Sequence, residues 1–113
     1  MKKYYEKLKE LCAETRKANT DYFADTHNYN DCRMDARFRG IWEKYDAGIR
    51  DIRSEIAARV REETLPKSAL TSFNEVVREL TTLSGRVECD WTEVPFSGAL
   101  TGAEGIISAF EAL

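Results

Sequence analysis

The only histidine of this 113-residue chain, His27, stands among Asp25, Asp31 and Cys32. Nowhere else do an imidazole, a thiol and carboxylates share one short stretch. A metal centre or a Cys–His nucleophile would need such neighbours, but structural zinc sites pair their ligands at recognisable short spacings that are absent here. The expectation is a solvated loop histidine, no metal and no cofactor. Gly98, Gly102 and Gly105 flank a helix start where backbone amides could meet an anion. The phosphate-loop pattern of glycines followed by lysine is missing, and Glu104 would repel a phosphate, so a turn is the expectation there. No nucleophile–base or acid–base set can be named, which points away from an enzyme.

One constellation carries more. Arg33 and Arg37, four residues apart, lie near Tyr22, Phe23, Tyr29, Phe38 and Trp42. Arginines beside aromatic rings can stack a base and clamp a phosphate, or form an interface hot spot. The plainer alternative makes Tyr22, Phe38 and Trp42 core residues and pairs the arginines with Asp31 and Asp35. Because the chain is acidic overall, with net charge −3, protein recognition is favoured over nucleotide binding. Tyr22, Phe23, Tyr29, Arg33 and Arg37 are the interaction candidates, joined by Trp91 from a strand-like stretch.

The charge is graded rather than blocked. Residues 1–21 carry a net +2, residues 22–66 a net −1 and residues 67–113 a net −4. A general nucleic-acid binder needs a concentrated basic surface to release counterions, and none is present. Three widely spaced cysteines, Cys12, Cys32 and Cys89, form no disulfide framework. Charged residues at positions 6, 7, 9 and 10 interrupt any signal-peptide core, and no run reaches the roughly 18–20 apolar residues of a membrane span. The cytoplasm is the expected compartment.

The elements that must position these groups are read from periodicity. Tyr4, Leu8, Leu11, Thr15, Ala18 and Tyr22 recur at spacings of four and three, with Tyr5 and Cys12 widening the stripe, as do Phe38, Trp42, Tyr45, Ile49, Ile52 and Ile56, with Ile41 and Val60 beside them. Each set is one apolar face of a helix. Folded back antiparallel, the two seams pair at a constant residue sum of 60. Trp42 and Tyr45 then fall opposite the small Ala18 and Thr15, which is how facing layers fill space without strain. The turn falls in the run of Asn, Asp and Thr around residue 30, with Asn28 or Asn30 as N-cap of the second helix. Gly40 and Gly48 weaken that helix by about 1 kcal/mol each. Close approach of another helix, from a second copy, over Ala36, Gly40 and Ala47 would offset this.

Pro66 suits the first turn of a third helix, whose face is Ala69, Leu70, Phe73, Val76, Val77, Leu80 and Leu83, with Gly85 as its C′ residue. Ser72 and Glu75 offer a rival start at capping-box spacing. Val87, Cys89 and Trp91 then alternate with polar residues as a strand would. Its backbone would need a partner, in a returning strand, in another copy or in another protein.

The expected fold is mainly α in a single domain over 1–113. An antiparallel helical hairpin (about 2–25 and 29–63) precedes a third helix (about 66–84). A short strand or hairpin (about 86–100) and a short C-terminal helix (about 102–112) follow. The expected function is a non-enzymatic protein-interaction module with coiled-coil-like seams, self-associating to a homo-oligomer, acting as inhibitor, adaptor or assembly component. Small acidic chains of this kind fit phage or mobile-element proteins that act by binding. The alternative is a small-ligand or nucleotide-binding protein with an intersubunit pocket.

Overall fold

The computed structural model describes residues 1–28, 32–89 and 103–112, with side chains described throughout except at 33 and 81–89. Helix α1 is Lys2–Thr26, followed by one 3-10 turn at Cys32–Met34 and by α2, Ala36–Arg61. Helix α3 is Lys67–Cys89 and α4 is Ala103–Glu111. There is no strand among the described residues.

Helices α1 and α2 form the antiparallel hairpin. Two exposed ion pairs tie it at either end: Lys7 to Glu55 at 3.0 Å and Arg37 to Asp25 at 2.8 Å. The rings of Tyr22 and Phe38 meet at 5.6 Å, the pairing expected from the residue sum. Helix α3 packs on α2, where Arg53 Nε donates to Asn74 Oδ1 at 2.9 Å. Helix α4 lies against both α1 and α3, and Lys9 Nζ reaches Glu111 at 3.4 Å. Each helix therefore touches two others, and the shared core holds Leu8, Ile56, Phe73, Val76, Leu80 and Ile107, all fully buried. Each such side chain contributes about 1.5–3 kcal/mol by leaving water.

Docking of α4 turns the buried stripe of α1 by one position from the expected seam. Cys12 and Asn19 are buried, whereas Leu11 and Ala18 are only half-buried. A stripe that must serve α2 on one side and α4 on the other centres between them. The nesting of Trp42 and Tyr45 over Ala18 and Thr15 changes accordingly. Tyr45 is buried in the same core as Cys12, and Trp42 packs edge-on to Tyr45 at 5.3 Å.

The turn also departs from expectation. Helix α2 starts at Ala36 rather than near residue 29, and its N-cap is Asp35, not Asn28 or Asn30. Asp35 is extended, and its Oδ1 accepts from the Arg37 backbone N–H at 2.8 Å. Its other oxygen accepts from the Tyr22 hydroxyl at 3.0 Å; Asn28 also bonds that hydroxyl, its Nδ2 donating at 2.9 Å, but from the end of α1 rather than the start of α2. Cys32 is buried in the 3-10 turn against Tyr22, Phe23 and Phe38, ahead of the start of α2. Helix α1 ends at His27, whose left-handed conformation (φ 53°) lets its N–H return to the Phe23 carbonyl at 2.9 Å.

The strand expectation fails where it can be checked. Residues 86–89 continue α3, so Gly85 lies inside the helix rather than capping it. Two-residue alternation over so short a window does not outweigh continuation of an established helix. The remainder of the expected strand, with Trp91, lies outside the described residues. Ser72 and Glu75 also sit within α3, so their spacing marks no helix start. The third helix begins instead just after Pro66, where the Ala69 N–H donates to the Pro66 carbonyl at 3.0 Å.

Candidate functional site

Three aromatic members of the expected tip cluster, Tyr22, Phe23 and Phe38, are core. Tyr22 is fully buried and Phe23 is 4% exposed. With Cys32 and Phe38 they make a small second core in which ring centres lie 5.1–6.1 Å apart. Burial above all pushes the Tyr22 hydroxyl pKa up; Asn28 works against this and Asp35 adds to it. Arg33 lies in the 3-10 turn and Arg37 in α2, so the two do not share one helix face as their spacing implied. Arg37 does not pair its guanidinium with Asp35; it bonds Asp25 and lies 5.7 Å over the Tyr22 ring. Asp35 is engaged instead as the cap of α2 and by the Tyr22 hydroxyl. Tyr29, Asp31 and Trp91 lie outside the described residues, as does the side chain of Arg33. Met34 is the large apolar side chain most exposed at the tip, at 80%.

His27 is exposed at the end of α1, and Cys32 is buried and in no disulfide. Among the described residues no three His, Cys, Asp or Glu side chains gather as metal ligands. Gly105 sits within α4, so it belongs to no phosphate-binding turn.

A different feature organises the surface. Three clefts of about 250–270 Å3 follow one another along the hairpin, between α1 and α2, and share lining residues end to end. They form one groove. Its wall on α1 includes Leu11, Thr15 and Ala18, and its wall on α2 includes Gly40, Ile41 and Gly48. It faces away from α3 and α4, because Arg53 on α2 and Lys9 on α1 point to those helices instead.

The two glycines have different reasons. A Cβ on Gly48 would lie 2.7 Å from Leu11 Cδ2, so this glycine lets the Leu11 side chain lie across α2. That is packing within the chain, not approach of a second copy. A Cβ on Gly40 would meet nothing within 4 Å. This exposed glycine in a helix interior lowers helix stability by about 1 kcal/mol without any contact in the chain that requires it.

Charge along the groove is ordered. The α1 rim is basic at Lys3 and Lys7, then acidic at Glu14 and beyond it at Asp21 and Asp25. The α2 rim runs oppositely at each level, basic at Arg37 and Lys44, acidic at Asp51 and Glu55. Exceptions are Glu10, beside Asp51, Arg59, beside Lys3, and Lys17, which pairs with Asp21 at 3.3 Å just outside the groove. The hydrogen bond from Lys7 holds the Glu55 carboxyl below its usual pKa, with Lys3 and Arg59 assisting. The sequence signal for the groove was Gly40; that for its charge order was the heptad positions 7, 14, 21 and 37, 44, 51.

No family model, no curated protein and no solved structure matches this chain. Among the described residues no helix is long and apolar enough to cross a membrane.

Proposed function

We propose that this chain is a non-enzymatic protein-interaction module that works through the α1–α2 groove, as an inhibitor, adaptor or assembly component in the cytoplasm. Gly40 carries the reading. A glycine in the second turn of α2 opens onto a groove walled by small and half-buried apolar side chains. Such a surface lets another backbone approach closely, and packing against it would offset the helical weakness of glycine. The alternating charges at the rims supply orientation and selectivity, which is the role charged rims have in interfaces. Cys12 and Cys32, buried and in no disulfide, suit a reducing compartment.

A small-ligand site at the tip has weaker support, since its two rings, Tyr22 and Phe23, are core. The test is capture from a native lysate with the wild-type chain and with Gly40→Arg as paired baits. The wild type should retain a specific protein that Gly40→Arg loses while keeping its circular dichroism spectrum. Equal retention by both baits would end the groove reading.

A further inference from the structure

We infer that the groove receives a second copy of this chain, related by a two-fold axis parallel to the hairpin, so that α1 of each copy lies along α2 of the other. This rests on the groove reading above and names its occupant.

Charge complementarity is the argument. At the base of the hairpin Lys3 and Lys7 stand across from Asp51 and Glu55; towards the tip Glu14 stands across from Lys44 and Asp25 from Arg37. A rotation of 180° about the long axis exchanges the rims without changing their level. The basic end of α1 then lies over the acidic end of α2, and the acidic end of α1 over the basic end of α2. Opposite charges meet along both rims, and at the centre Glu14 of each copy meets Lys44 of the other. A two-fold axis across the hairpin instead sets α1 on α1 and brings Glu14 onto itself at the midpoint. Like charges so placed disfavour that arrangement.

Shape agrees. Ala18, Thr15 and Gly40 leave the groove floor low, so facing helices can close on Leu11 and Ile41 from both copies. Helices of 25 and 26 residues are roughly 37–39 Å long. Two side by side present a face about 18 Å wide. Covering it buries on the order of 600 Å2 per copy, near the lower bound for a specific interface. The area is compatible with a dimer that forms in the micromolar range and weakens with salt as the rim charges are screened. A two-fold contact is also the commonest form of self-association, because one patch serves both partners.

Light scattering after size exclusion, at 100 µM and low salt, tests this on the full chain. The expected result is twice the 13.0 kDa chain mass. Gly40→Trp should be monomeric with unchanged helicity, because its side chain enters space that the single chain leaves open. Glu14→Lys and Lys44→Glu should each be monomeric alone, yet a one-to-one mixture should recover the dimer, since lysine 14 then meets glutamate 44 and glutamate 14 meets lysine 44. A wild-type monomer under these conditions overturns the inference, and so does failure of the mixture to associate. The lysate experiment keeps the two ideas apart. If the wild type is monomeric but Gly40→Arg still loses a captured protein, the groove reading stands and the second copy does not. If a dimer forms that Gly40→Trp leaves intact, the groove is not its interface.

Discussion

The hydroxyl of Tyr22 donates to Asp35 across the hairpin turn at 3.0 Å, and the same carboxylate caps the next helix. One side chain therefore ends the turn and anchors it to the core. Removing the cap, Asp35→Ala, should cost about 1–2 kcal/mol, and Tyr22→Phe about 1 kcal/mol. In a double-mutant cycle measured by urea unfolding, the two losses should fall short of additive by at least 0.5 kcal/mol, an expectation set by the general size of coupling between contacting residues. Simple additivity would show that cap and anchor act independently.

Alanine at the two glycines of α2 should separate their roles. Gly40→Ala gains helix propensity at no steric cost and should raise stability by up to about 1 kcal/mol. Gly48→Ala gains the same propensity but drives Leu11 out of place, so its thermal midpoint should lie below that of Gly40→Ala. Equal midpoints would mean that Leu11 turns aside freely.

Asn19 is fully buried, and neither polar atom of its side chain has a hydrogen-bond partner among the described residues. An amide stripped of water in this way costs about 1–3 kcal/mol. Replacing it by the similarly sized Leu should raise the free energy of unfolding by about 1–2 kcal/mol. A loss of stability would indicate that an internal water, of the kind that buried polar groups often hold, satisfies the amide.

Burial pushes the Cys12 thiol up to about 11 from an ordinary value of 9.0, with Tyr45 opposing this. A raised pKa in the fold favours folding below the ordinary value, and that contribution is lost as pH climbs from about 9 through 11. The stability advantage of wild type over Cys12→Ala should narrow across that window. At pH 8 Cys12 should resist alkylation in the folded chain and react once urea unfolds it, as peptide mapping would record.

Most of the helical frame is legible in the sequence because apolar residues repeat at the helical period over more than twenty positions. Tyr4, Leu8, Ile52 and Ile56 are buried as that period requires, and Tyr22 meets Phe38 in the expected register. The start of α2 was not legible. Short polar side chains crowd this stretch and are alike as caps locally; Asn28 and Asp35 both bond the Tyr22 hydroxyl, and it is Asp35 whose second oxygen takes the Arg37 N–H. Asn19 was missed because a polar residue on a stripe reads as its edge; the packing of α4 on α1 makes it the interior. Tyr22, Phe23 and Phe38 do lie together at the tip, but their aromatic character reflects a core to be filled rather than a surface to be offered. Gly40 was flagged by its propensity cost alone, and the open space beside it is what gives that cost a meaning.

The small core of Tyr22, Phe23, Cys32 and Phe38 has a consequence for how the chain reaches its structure. Its members span only residues 22–38, so bringing them together closes a short loop, whereas Tyr4 and Ile56 must meet across some fifty residues. Loop closure is least costly in entropy for the shorter loop, and two amphipathic helices joined at that knot can then pair progressively towards their far ends. The hairpin would thus assemble as a zipper starting at its bend, with the docking of α3 and α4 following once both strips of side chain are aligned.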